Sequence, residues 1–272
     1  MARCPFAKWS PISGPVGSFV GGPFRIVHHT TEGNSAAGAI AAFRAHRSDP
    51  HFTVDQTTIY QHIDTGLSAR ALRNLTGGVE TNRLSAIQIE VVGTAGRPKA
   101  RPTLENVARL CRWLEKTHEI PSEWPSGPPK PAVNGQDPGG HNRSPQIWVS
   151  RGGHYGHCHV PENIHWDPAY TAEEAVFVMR YDPDNAGALQ DPEIEALRES
   201  LPEEVPIEFE DIAIPDHADV GEEEDVDQPP RSEGRRGRMP SFGSYASPEV
   251  AVLIAGLFFA GSFLLIRSLS RR

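Results

Sequence analysis

Cysteine is scarce here: only three in 272 residues, Cys4, Cys111 and Cys158. An odd number without framework spacing argues against a disulfide scaffold and leaves the redox compartment open. The first nine residues, Met1 to Trp9, lack the continuous apolar core of a secretory signal, so the main domain is expected to be made in the cytosol. Bases are nearly missing from residues 182–227, where one arginine, Arg198, faces 18 of the chain's 35 acidic residues. That segment carries a formal charge of −17 and leaves +8 on the remainder, so the overall −9 says nothing about the face of a folded domain. Such an acidic, proline-punctuated stretch resists collapse, and residues 182–247 are expected to be a disordered linker. Charge is absent altogether from residues 250–266, an apolar run at the short end of bilayer-spanning length.

What remains is a stretch of about 160 residues, ample for one folded unit. Its patterning reads as mixed α/β. The apolar, β-branched run at residues 24–31 is expected to be a buried strand that delivers His28 or His29 at its end. Asn34 or Ser35 caps a helix through residues 36–44, and residues 53–62 read as a strand or hairpin. Thr103 opens a second helix, in which Leu104, Val107, Leu110, Cys111 and Leu114 recur at helical spacing and Cys111 serves packing. Residues 121–138, rich in proline and glycine, form a long surface loop, and Thr171 starts the last helix.

The densest chemistry lies at residues 155–168, where His157, Cys158, His159, His165 and Asp167 share one short segment. Imidazole, thiolate and carboxylate are zinc donors, and a catalytic site supplies three of them and leaves a fourth position open. Alternation along an extended chain puts His157 and His159 on one face and Cys158 on the other. His159 is therefore a rival to His157 as a ligand, with Cys158 a weaker one. Glu90 follows Ile87 and Ile89 and precedes Val91 and Val92, an apolar setting in which a carboxylate without a partner is costly.

Three motifs in order carry a resemblance: Val27 to Thr30 with its His-His-Thr, Asn82 to Gly93, and Gly156 to Pro161 leading to Trp166, Asp167 and Pro168. Together they resemble the zinc-dependent N-acetylmuramoyl-L-alanine amidases, a superfamily that also holds phage endolysins and animal peptidoglycan recognition proteins. The resemblance implies a mixed central β-sheet flanked by helices over residues 22–181, preceded by an extension at 1–21. It implies Zn2+ held by His28, His157 and Asp167, with Glu90 as the catalytic acid–base group. His165 stands where the family often carries a transition-state lysine, and residues 68–73 replace a Trp-His pair that many relatives have before the Glu90 strand. The implied reaction is hydrolysis of the amide between N-acetylmuramic acid and L-alanine in peptidoglycan or muropeptides. A binding or sensing protein without turnover, and a zinc peptidase on another amide, are the competing readings.

For the rest of the chain the expectation is a single transmembrane helix at 248–267 and a basic tail at 268–272. Arginines flank the run on both sides, which leaves the side of the membrane open. Gly256, Ala260 and Gly261 permit self-association of the helix. No nucleic-acid partner is expected.

Overall fold

The computed structural model describes residues 2–12, 17–185 and 191–205. Its centre is a six-stranded mixed sheet of order β1-β5-β4-β7-β3-β8, built from Lys8–Trp9 (β1), Arg25–Thr30 (β3), Phe52–Val54 (β4), Ile59–Gln61 (β5), Ala86–Val91 (β7) and Gly153–Gly156 (β8). A small antiparallel pair, Gly17–Ser18 (β2) with Leu67–Ser68 (β6), stands apart from it. β3 runs parallel to both β7 and β8, and β4 is parallel to β7. The expected hairpin is β4 and β5, joined by a turn in which the Asp55 carboxylate accepts the backbone N–H groups of Thr57 and Thr58.

Strand alternation sorts the central strands into two faces. Ile26, Phe52, Val54, Ile87, Ile89 and Val91 are all fully buried and join one core with Leu104, Val107, Cys111 and Leu114 of Arg101–His118 (α2) and with Phe177 and Val178 of Ala172–Arg180 (α4). The opposite face carries Val27 and Tyr155, which pack with Trp148 of Pro145–Ser150 (α3) in a second, smaller cluster. The first helix, Ala36–His46 (α1), is capped by Ser35, whose hydroxyl accepts the Gly38 N–H. Thr171 caps α4 through a reciprocal bond with Glu174. α2 starts two residues earlier than Thr103, because Pro102 fits the first turn of a helix.

The acidic segment departs from expectation. Pro192–Ser200 forms a helix (α5), and Ile194 and Leu201 are buried against the main core with Leu197 beside them. Arg198 pairs with Glu105 of α2 at 2.6 Å, while Arg180 reaches Asp191 and Glu193 at 2.8 and 2.9 Å. The Arg101 N–H donates to the Pro202 carbonyl at 2.7 Å. Charge summed over a window treats its acids as unpaired, whereas here Arg101 and Arg109 of α2 pair with Glu203 and Asp184, and Arg180 of α4 pairs with Asp191 and Glu193. Residues 191–205 are thus folded onto the domain and are not part of the expected linker. Its remainder from residue 206, the apolar run 250–266 and the basic tail lie outside the described residues. Among the described residues, no helix is long and apolar enough to cross a membrane.

Two outcomes follow from this packing. Replacing Ile194 with alanine removes a side chain that is 3% exposed and is expected to lower unfolding stability by about 2 kcal/mol, read by urea denaturation. His51 is wholly buried, its Nδ1 accepting the Gln88 N–H and its Nε2 donating to the Leu67 carbonyl, so the ring is neutral in the fold. Burial pushes its pKa down to about 4. Because the unfolded chain takes up this proton at about pH 6.5, the contribution is complete above that pH and is lost progressively as pH falls toward about 4. A loss of about 2 kcal/mol is expected between about pH 7 and pH 5 in wild type, and a flatter profile in His51→Gln.

Candidate metal centre

Parallel pairing of β3 with β7 sets His29 directly beside Glu90. Both lie on the sheet face opposite Ile26, Ile87 and Ile89, the residues under α2 and α4. The third participant comes from the far edge of the sheet. β8 ends at Gly156 and the chain turns into a single 3-10 turn, His157–His159. Glycine is required at that corner, since a Cβ on residue 156 would lie 2.8 Å from the Pro168 ring and 2.9 Å from the Cys158 sulfur. The turn swings His157 back over β3, so that its Nδ1 comes to 3.1 Å from the Nδ1 of His29.

Asp167 closes the set. Its Oδ1 is 3.2 Å from His157 Nδ1 and its Oδ2 is 3.8 Å from His29 Nδ1. One bond holds the carboxylate, the Thr30 N–H donating to Oδ2, and two hold its backbone: the Cys158 N–H donates to the Asp167 carbonyl, and the buried Lys99 ammonium donates to the Pro168 carbonyl at 2.7 Å. The Asp167–Pro168 peptide is cis. His157 is oriented from behind, because its Nε2 donates to the Asn163 side-chain oxygen at 2.9 Å. Asn163 in turn clasps the backbone of Arg73, which brings the 68–73 stretch to the edge of the site.

These donors suit a metal ion. His29, His157 and Asp167 each offer a ligand atom within 4.8 Å of the others, and all three residues are buried. Tetrahedral zinc with bonds near 2.0–2.1 Å spaces its ligand atoms about 3.3 Å apart, and the 3.1 and 3.2 Å edges match that spacing. An imidazole that faces the centre with one nitrogen and bonds an amide oxygen with the other is the orientation expected of a ligating histidine. Glu90 borders the same space, its Oε1 lying 3.9 Å from His29 Nδ1.

The electrostatics are those of a buried acidic site. Burial, followed by repulsion from Asp167 and Glu32, holds the Glu90 carboxyl well above the usual range. Burial also acts to raise Asp167, but His157 and then His29 outweigh it and hold that carboxyl below the usual range. Neighbouring carboxyl groups driven in opposite directions are a common mark of acid–base chemistry.

Of the expected site residues, the structure brings together His157, Asp167 and Glu90, with His165 above them at the exposed rim. The His165 ring is stacked on that of His157 at 4.7 Å, and its carbonyl accepts from Arg143. His28 is not part of this assembly. Alternation places it on the face of Ile26, where it meets His154 and Tyr170 beneath α2, and His29 takes the position expected of it. His159 is also directed elsewhere, its Nδ1 accepting the Gly156 N–H. The two-residue alternation that made it a rival to His157 fails because the segment is a 3-10 turn and not a strand. Burial raises the Cys158 thiol far above its ordinary value. Asn163 and Lys99 escaped the sequence reading, since neither residue type is a ligand and each acts through a distant partner.

Comparison with known proteins gives one family. Residues 23–170 match the family model described as N-acetylmuramoyl-L-alanine amidase. Search of curated proteins gives no match. Among solved structures, the chain is similar to the Staphylococcus aureus hydrolase AmiA in complex with its ligand, at 16% identity over 61% of this chain and 74% of that one, with a TM-score of 0.43. It is also similar to the N-acetylmuramoyl-L-alanine amidase LysC from Clostridium intestinale, at 19% identity over 43% and 79% of the two chains, TM-score 0.34. The catalytic domain of XlyA matches at 25% identity over 41% and 75%, TM-score 0.31.

Asn163→Ala removes the acceptor that holds His157 Nε2 while leaving every candidate ligand in place. It is expected to weaken divalent-ion affinity by about 10- to 100-fold, measured by competition with a chromogenic chelator.

Proposed function

The chain belongs to the N-acetylmuramoyl-L-alanine amidase family, and from that premise we propose that His29, His157 and Asp167 hold a catalytic Zn2+ for hydrolysis of the amide between N-acetylmuramic acid and L-alanine in peptidoglycan. The observation that carries this reading is the cluster of three donors, with His157 at tetrahedral spacing from both His29 and Asp167, and a carboxyl group at its side. When bound, zinc polarises the scissile carbonyl and lowers the pKa of a coordinated water to about 7.

The remaining chemistry belongs to the chain. Glu90 Oε1 faces the same space as the ligands and is placed to take a proton from the attacking water and pass it to the leaving nitrogen. Its raised affinity for a proton suits the second of these transfers, since the amine must leave protonated. His165, at the rim, is assigned the stabilisation of negative charge on the carbonyl oxygen. Thr30, Lys99 and Asn163 hold Asp167 and His157 in place, so the donor set is assembled before any ion arrives. An aspartate, a histidine and a glutamate within one buried cluster cost free energy unless charge is compensated, and a divalent cation supplies that compensation.

We assign the uncharged run at 250–266 as a membrane anchor on its length and composition. It would hold the catalytic domain at a membrane surface through the acidic tether, and self-association through Gly256 and Gly261 is part of the same assignment. Protease accessibility of an N-terminal tag in intact cells and in spheroplasts reports on which side the domain lies.

Purified peptidoglycan incubated with the full-length chain is expected to release stem peptides beginning with L-alanine, identified by mass. Chelation is expected to stop release and added zinc to restore it. Glu90→Gln is expected to keep its zinc and lose at least about 10²-fold in kcat. Retention of full turnover by that variant would overturn the assignment of Glu90.

A further inference from the structure

The displaced histidine leads to a second cluster. On the opposite face of β3 from His29, His28 Nε2 lies 3.0 Å from His154 Nδ1. One ring nitrogen of each histidine and the Cys111 sulfur lie within 4.8 Å of one another, and all three residues are wholly buried. The three come from β3, β8 and α2, elements distant in sequence. Each imidazole bonds an oxygen through its other nitrogen: His28 Nδ1 is 3.3 Å from the Tyr170 hydroxyl, and His154 Nε2 is 2.8 Å from the Glu115 carboxylate. Glu115 lies one helical turn after Cys111, so α2 presents thiol and carboxylate side by side.

We propose that His28, His154 and Cys111 form a second, structural metal site for a thiophilic ion of the zinc class. Two imidazoles and one thiolate are a donor set for zinc, and the tie from His154 to Glu115 is the carboxylate–histidine arrangement that orients a ligand. Zinc ligands of this kind are spaced about 3.3 to 3.6 Å apart, so the imidazole pair at 3.0 Å opens slightly and the sulfur, within 4.8 Å, needs at most a modest approach. Binding breaks the Cys111 S–H bond, forms a sulfur–metal bond and releases one proton to solvent. The imidazoles stay neutral: His28 carries its proton on Nδ1, donating to Tyr170, and His154 carries its proton on Nε2, donating to Glu115. The ion would clip α2 to β3 and β8 directly behind His29, without contact with substrate.

The competing account is a metal-free hydrogen-bond chain running from Tyr170 through His28 and His154 to Glu115. It satisfies both imidazoles and gives the Cys111 thiol no task, which is where the two accounts separate. The first site contains no sulfur, so sulfur-to-metal charge transfer reports on the second site alone.

The full-length chain, stripped of metal and titrated with Co2+, is expected to bind two equivalents and to develop a near-ultraviolet sulfur-to-cobalt absorption. That absorption should persist in Asp167→Asn and Cys158→Ser and vanish in Cys111→Ser, which keeps one equivalent and its circular dichroism. X-ray absorption of the zinc-loaded wild-type chain should show a sulfur scatterer, a reading that needs no variant to fold. One equivalent in wild type without sulfur ligation would overturn the proposal and leave the hydrogen-bond chain. Sulfur ligation that survives Cys111→Ser and vanishes in Cys158→Ser would overturn it equally.

Discussion

The register of β3 against β7 is the constraint on which the rest depends. With Ile26 opposite Ile87 and His28 opposite Ile89, the bulky apolar residues Ile26, Ile87, Ile89 and Val91 face α2 and α4, while Val27 and Ala86 pack on the other side. The same register forces His29 and Glu90 onto the other face as neighbours. A slip of one residue in either strand would exchange the two sets, setting imidazole and carboxyl into the helical core. Hydrophobic burial of one face therefore fixes the polar chemistry of the other, and the fold and the site share a single source of order.

Around that register, the site is held by groups that do not react. Asp167 is gripped by the Thr30 backbone and its loop by Lys99, while His157 is turned by Asn163. Lys99 and Glu174 are themselves buried, and Glu174 both completes the cap of α4 and accepts the Lys99 N–H. The helix that covers the core is thus tied to the loop that carries the carboxylate. Such links restrict how far a candidate ligand can drift, which matters where a misplacement near 1 Å is costly to catalysis.

Much of this was legible in sequence order alone. Apolar spacing located α2, a cap at Asn34 or Ser35 and one at Thr171 marked where two other helices begin, and His157, Asp167 and Glu90 among the motif segments pointed to a hydrolytic centre. The helix at 192–200 also left a trace, since Ile194, Leu197 and Leu201 fall at helical spacing. Its acidity hid that trace, because the bases that neutralise it lie on α2 and α4.

What the chain by itself determined is the inventory: a strand ending in two histidines, an acid within an apolar strand, and a histidine-rich corner before an aspartate. Only the tertiary structure decided between His28 and His29, because adjacent residues of a strand face opposite ways and the sequence does not say which face the helices will cover. It decided between His157 and His159 for a related reason. The corner folds as a 3-10 turn, not a strand, and its direction is imposed by Gly156 packed against Pro168 and by a side chain six positions away that holds His157 in place. Composition and local spacing carry the identity of donors, while their convergence rests on long-range contacts that no local pattern encodes.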